Sequence, residues 1–227
     1  MAFENEEFNE FILKNGVIGF FEEPIQLKSG RLSSWYVNWR NVAEDVFLLD
    51  QLTDYVLSFT KDQGLKPDCF FGVPEGATKV GILTQYKWAK EDPSYAPHSH
   101  VIPMGRGKPK THGAPKDKYF VGKPQGDTII IEDVTTTGGS LLQTIDQLVE
   151  SQVPLIAAFG LTNRMEVTDE GYSVKEAVES KGVPYYSMSN AFDLLPKAYK
   201  DLQPGEHILQ SLKEEFSEYG IAPLPNS

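Results

Sequence analysis

Two carboxylates and a run of hydroxyls and glycines stand together in Glu132-Asp133-Val134-Thr135-Thr136-Thr137-Gly138-Gly139-Ser140. A small-residue turn that feeds a helix presents free backbone N–H groups and the positive end of a helix dipole, which suits a phosphate. Gly138 and Gly139 let the backbone approach a ligand with no Cβ in the way. Glu132 and Asp133, just ahead of that turn, can accept hydrogen bonds from vicinal hydroxyls such as those of a ribose. The parts together describe a site for a phosphorylated sugar. No Gly-Lys-Ser/Thr follows, so this is not a Walker loop, and the spacing is not GxGxxG. An ordinary turn between strand and helix is the plain alternative.

A second stretch concentrates cations. Gly105 to Tyr119 carries Arg106, Lys108, Lys110, His112, Lys116 and Lys118 among glycines and prolines, with no apolar period. A loop this long inside a compact domain is usually a functional lid or a disordered segment. Arg164 follows an apolar run, in a place where an arginine taken alone can be a surface residue of a loop. His98 and His100 have the H-x-H spacing of two metal ligands, but no third ligand lies nearby in sequence.

The elements that must position these groups follow from periodicity. Thr128-Ile129-Ile130-Ile131 reads as a strand buried on both faces, ending at the two carboxylates. Leu141, Leu142, Ile145, Leu148 and Val149 recur at helical spacing after it. Upstream, residues 6–15 predict an amphipathic helix, and two short strands flank a Ser29-Gly30 turn. Residues 45–63 predict a helix with Val46, Leu48, Leu49, Leu52, Tyr55, Val56 and Phe59 on its apolar stripe. Residues 68–73 predict a strand, broken at Pro74-Glu75-Gly76-Ala77 before another helix. Val101 to Met104 and Leu155 to Leu161 predict two more strands. A helix over 173–181, a strand over 182–188 and two further helices complete the chain. Strand–helix alternation from 45 to 164 predicts a right-handed parallel α/β sheet, with ligands at its carboxyl edge.

The chain has 227 residues, a size for one core plus a small cap. Its formal net charge of −11 argues against nucleic acid, which demands broad phosphate neutralisation. A local basic loop can still bind a small anion. No apolar run reaches membrane-helix length, the acidic start lacks the regions of a signal peptide, and Cys69 is the single cysteine. The expectation is a cytoplasmic protein without a membrane segment, with Cys69 in the core.

The 128–140 stretch closely resembles the phosphoribosyl-pyrophosphate (PRPP) motif of type I phosphoribosyltransferases. Four more places, in the order expected, resemble the orotate phosphoribosyltransferases. These are LKSGR followed by SxxYxN at 27–38, the turn at 74–77, RxxxKxHG at 106–113, and Asn163-Arg164-x-Glu166. The resemblance implies the type I fold: a central parallel sheet flanked by helices, with a hood. It covers residues 1–227 as a single domain, with a core over about 45–164, a hood from about 1–44 and 165–227, and a mobile lid over about 105–120.

It further implies transfer of a phosphoribosyl group from PRPP to orotate with Mg²⁺, giving orotidine 5′-monophosphate and pyrophosphate in pyrimidine synthesis. Backbone amides of Thr135 to Gly139, with Ser140, would grip the 5′-phosphate, and Glu132 and Asp133 the ribose, directly or through Mg²⁺ and water. Lys28 would reach the substrates. Tyr36, Val37, Thr137 and Arg164 would border orotate, and Pro74, Glu75, Gly76 and Ala77 the pyrophosphate. Arg106, Lys110 and His112 would form a cationic lid, with His112 or Asp133 available for proton transfer. The family's second aromatic is Val37 here, its loop lysine is Gly76, and its first lid lysine falls on Gly107, with Lys108 displaced by one. Lys79 is a candidate replacement for the loop lysine, or an exposed helix lysine. The family implies a homodimer in which one subunit's lid completes the other's site. A phosphoribosyltransferase for another base, and a PRPP-sensing regulator without chemistry, remain open.

Overall fold

The computed structural model describes residues 2–27, 29–111 and 118–225. At its centre is the apolar strand the sequence marks. β6 (Thr128–Thr135) lies between β3 (Cys69–Gly72) and β7 (Leu155–Asn163), and β8 (Tyr185–Ser187) follows, giving a parallel sheet in the order β3-β6-β7-β8. Side chains alternate across a strand, so the apolar runs split between two layers. Phe70, Ile129, Ile131, Ala157 and Phe159 face one core. Phe71, Ile130, Ala158 and Tyr185 face the other. The first core is covered by α1 (Asn5–Lys14), α3 (Val46–Asp62), α7 (Ala191–Leu202) and α8 (Glu206–Tyr219), and the second by α5 (Gly139–Glu150) and α6 (Val174–Glu179).

The expected parallel sheet and flanking helices are present, and the differences have local causes. The first hairpin strand, β1 (Ile18–Gln26), starts well before the Ser29-Gly30 turn and pairs antiparallel with β2 (Leu32–Val37). β2 then leads into the short α2 (Arg40–Glu44). Val46 is 83% exposed, because α3 begins at that residue, capped by the Asp45 side chain, in a turn that projects past the core. Val149 is also exposed. At 100° per residue it falls about 80° round the helix from Leu141, at the margin of the buried stripe.

The strand expected over Val101 to Met104 does not join the sheet. Gln85 of α4 (Thr78–Glu91) takes that place: its Oε1 accepts from the Phe70 amide at 2.9 Å and its Nε2 donates to the Val101 carbonyl at 3.0 Å. A buried side-chain amide thus satisfies the edge of β3, and only Met104–Gly105 (β4) is strand, paired antiparallel with Phe120–Val121 (β5). Cys69 is buried as expected, and burial pushes its thiol up to about 11. Among the described residues no helix is long and apolar enough to cross a membrane.

Gln85→Leu leaves the Phe70 N–H buried without an acceptor, a change that costs about 1–3 kcal/mol. Urea unfolding is expected to show a lower midpoint with an unchanged slope, the mark of lost stability rather than altered compactness.

Candidate active site

β6 carries Glu132 and Asp133 to the carboxyl edge of the sheet. Glu132 is buried and Asp133 half-buried, and both border a cavity of about 800 Å³. The strand runs two residues past Asp133, because β7 stays paired with it as far as Thr135 and Asn163. Thr135 is therefore sheet and not turn. Its hydroxyl meets Tyr185 Oη at 2.8 Å inside the core, and burial lifts the Tyr185 hydroxyl above the usual tyrosine range. Thr136, Thr137, Gly138, Gly139 and Ser140 do border the cavity. Gly138 has φ +75° and directly precedes α5, so the chain turns there in a conformation that favours glycine. Gly139 and Ser140, in the first turn of α5, border the same space, which places it at the positive end of the helix dipole.

Across the cavity stand Tyr36 and Val37 of β2. Val37 carries no ring, but Phe21 of β1 also borders the cavity, with its centroid 5.1 Å from that of Tyr36. The hairpin brings these rings together across a separation of 15 residues, which no local motif announces.

The turn at Pro74 to Ala77 lies beside Asp133. A Cβ on Gly76 would sit 2.2 Å from Asp133 Oδ2, so a lysine there would displace the carboxylate. Lys79, the candidate replacement, donates instead to the Ala43 carbonyl at 3.0 Å. Gly107 has a similar neighbour: a Cβ there would lie 2.7 Å from Glu75 Oε1.

The cationic stretch is rooted as a ribbon. The Arg106 amide donates to Tyr119 O, and the Lys110 amide to Lys118 O, each at 2.8 Å. On the return side, Tyr119 Oη and Lys118 Nζ both bind Glu150 near the end of α5, at 2.6 and 3.1 Å. Arg106 Nε donates to the Phe120 carbonyl at 3.2 Å. Arg106, Lys108 and Lys110 do not border the cavity described above. Lys28 and His112 lie outside the described residues. His100 Nδ1 is 2.7 Å from Ser99 Oγ, and among the described residues no three metal-ligating side chains cluster, at His98 and His100 or elsewhere.

Arg164 borders the cavity but is 2% exposed, held in a network that sequence spacing could not reveal. Its Nε donates to Glu166 Oε1 at 2.7 Å, and its Nη2 to Ser33 Oγ at 2.8 Å and Glu215 Oε1 at 2.9 Å. Its guanidinium stacks 3.8 Å above the Trp35 ring. Arg31 pairs with the other oxygen of Glu166 at 3.0 Å. Burial raises the Glu215 carboxyl above its usual range, while Arg164, Ser33 and the Ser34 amide oppose that rise. Ser33 and Glu215 were not anticipated from sequence, since neither stands in a motif. Arg40, also missed, borders the cavity, is exposed, and makes no ion pair among the described residues. Its position directly after the Tyr36–Trp39 stretch was the one available signal.

A parallel sheet, an acidic pair near the carboxyl end of β6 and a glycine turn into the next helix define a type I phosphoribosyltransferase. No family model matches the chain. An orotate phosphoribosyltransferase of Rhodopseudomonas palustris (strain TIE-1) is 31% identical over 187 residues, 78% of this chain and 89% of the relative. The crystal structure of orotate phosphoribosyltransferase from Francisella tularensis shares the fold, with a TM-score of 0.67 and 21% identity, over 94% of this chain and 99% of that one. So does that from Mycobacterium tuberculosis H37Rv in complex with PRPP, with a TM-score of 0.57 and 19% identity, over 84% and 98% of the two chains. The chain belongs to the orotate phosphoribosyltransferase family.

Removing one partner from a buried ion pair strands the other, at a cost of about 3–5 kcal/mol. Arg164→Met is expected to destabilise the fold by that order, and Glu215→Gln added to it is expected to recover part of the loss. A double-mutant cycle by urea unfolding reads the coupling, and additive losses would show that the two side chains act independently.

Proposed function

We propose that PRPP and orotate meet in the cavity at the carboxyl end of β6, where the chain forms orotidine 5′-monophosphate and pyrophosphate as a step of pyrimidine synthesis. The observation that carries this reading is the juxtaposition of Glu132 and Asp133 with the Gly138 turn into α5, in a member of this family. One relative of the same fold is known in complex with PRPP.

In the reaction, a ring nitrogen of orotate supplies the electron pair that forms the new bond to the ribose anomeric carbon. The bond from the anomeric carbon to the pyrophosphate oxygen breaks, and pyrophosphate leaves with the electron pair of that broken bond. Orotate can enter with its ring nitrogen already ionised, so no strong base is required, and Asp133 or His112 stands as the candidate for any proton transfer. Amides of Thr136 to Gly139, with Ser140, hold the 5′-phosphate. Thr135 contributes through its backbone position, since its side chain is spent on Tyr185. Glu132 and Asp133 orient the ribose hydroxyls. Tyr36, Val37, Thr137 and Arg164 border the base. Pro74 to Ala77, next to Asp133, receive the pyrophosphate, and Lys28 and Lys108 add charge to it.

The oxygen-only character of the Glu132 and Asp133 donors fits a hard cation such as Mg²⁺, held through waters and PRPP rather than by a side-chain cage. When bound, Mg²⁺ offsets charge on the departing pyrophosphate. Arg106, Lys110 and His112 do the same from the lid, whose closure excludes water.

The division of labour is a core over about 45–164, a hood from the two ends of the chain and a lid over about 105–120. Arg106, Lys108 and Lys110 stand off the subunit's own cavity, which supports a homodimer in which each lid serves the partner's site.

Loss of orotate absorbance on mixing protein, orotate, PRPP and Mg²⁺ tests the reaction. Turnover is expected to require PRPP and to fall at least roughly a hundredfold in Arg106→Ala, the scale of a lost transition-state charge contact. Binding of PRPP without turnover would move the protein to the sensing class, and turnover of another base alone would reassign its specificity.

For the shared lid, an Arg106→Ala chain mixed with an Asp133→Asn chain is expected to recover activity, because one site of each heterodimer is then intact. No recovery in verified heterodimers would place each lid over its own subunit's site.

A further inference from the structure

The donors of Arg164 are almost fully committed inside the protein. A guanidinium has five N–H groups. Nε serves Glu166, both Nη2 hydrogens serve Ser33 and Glu215, and Nη1 makes a long 3.4 Å contact with the Trp35 carbonyl. One Nη1 hydrogen remains. A two-pronged grip on a carboxylate uses a parallel pair of N–H groups, from Nε and Nη2 or from Nη1 and Nη2. Both edges contain Nη2, so neither is free.

Glu215 is the residue that holds this arrangement. It is 7% exposed and sits on α8 with Ser33 Oγ at 2.7 Å, the Ser34 amide and Trp35 Nε1 both at 3.1 Å, and Arg164 Nη2 at 2.9 Å. The buried group as a whole carries two guanidinium ions, Arg31 and Arg164, against two carboxylates, Glu166 and Glu215. It therefore exerts little net attraction on an anion in the cavity.

We infer that Glu215 is a specificity-determining residue for the base: it occupies the Nη2 edge of Arg164, so a base carboxylate meets one N–H of a guanidinium whose charge Glu215 offsets from behind, rather than a two-pronged cationic clamp. The inference rests on orotate being the base. It gives the C-terminal helix a part in substrate recognition although no side chain of that helix borders the cavity. Glu215 acts through Arg164 and is thus a positioning residue.

The test is steady-state kinetics with orotate varied at saturating PRPP and Mg²⁺, for the full chain and for Glu215→Gln. Gln keeps an acceptor for Arg164 and Ser33 and removes the charge. The KM for orotate is expected to fall roughly tenfold, as expected for loss of one like charge at short range in a partly shielded site, with kcat changed by less than about threefold. The amide of orotate, which lacks the negative charge, is the control. As a competitive inhibitor it is expected to bind both proteins within about a factor of two, because a neutral ligand does not feel the removed charge. An orotate KM that stays the same or rises in folded Glu215→Gln overturns the inference, as does equal tightening of the amide. Should Glu215→Gln fail to fold, Ser33→Ala frees one Nη2 hydrogen and leaves every charge in place. It is expected to lower the orotate KM by about two- to threefold, less than a charge removal, and no decrease overturns the inference. Failure of the unaltered protein to turn over orotate would instead overturn the functional reading, which the same assay reports separately.

Discussion

The burial of β6 on both faces governs the rest of the structure. Ile129, Ile130 and Ile131 are all fully buried, two facing one helical layer and one facing the other. A strand in that position has no solvent face, so polar groups can appear only at its end. Glu132 and Asp133 follow at once, at the carboxyl edge, where the turn into α5 also brings the positive end of that helix. The site is thus a consequence of where an apolar run stops. Pairing with β7 through Asn163 keeps the acidic pair rigid, because both residues remain within the ladder rather than on a loop.

A second constraint joins the two ends of the chain to that edge. Ser33, Ser34 and Trp35 of β2 and Glu215 of α8 converge on Arg164, one residue beyond β7. A buried guanidinium without partners would be prohibitively costly, so the hairpin and the C-terminal helix have to arrive together. The same contacts that hold the two ends of the chain to the sheet also settle which Arg164 donors are already committed. Stability and the donors that Arg164 turns to the cavity are coupled in one cluster, and Glu215 of α8 touches the cavity lining through that single side chain.

Much of this was legible in the residues alone. The β6–turn–α5 unit, the strand–helix alternation and the cationic stretch at 105–119 all depend on local periodicity and composition, and the resemblance at five separated places set their order. Legibility ended where a distant group replaced a local one. The Val101 stretch has the composition of a strand, yet Gln85 from the preceding helix takes the edge it would have filled. Thr135 looks like part of a phosphate-binding turn, yet a tyrosine 50 residues on draws its hydroxyl into the core. Gly76 reads as a missing lysine, and the space next to it is filled by Asp133.

By itself the sequence determined the fold class and the chemistry of the ligand edge, because both are written in short runs whose period and polarity act locally. Tertiary structure alone decided what each charged side chain is free to do. Arg164 has the right type and place for a carboxylate, but its availability depends on Ser33, 131 residues before it, and on Glu215, 51 residues after it. Hydrogen-bond capacity is finite and is claimed by whichever partners the fold brings within about 3 Å, a distance that sequence separation does not encode.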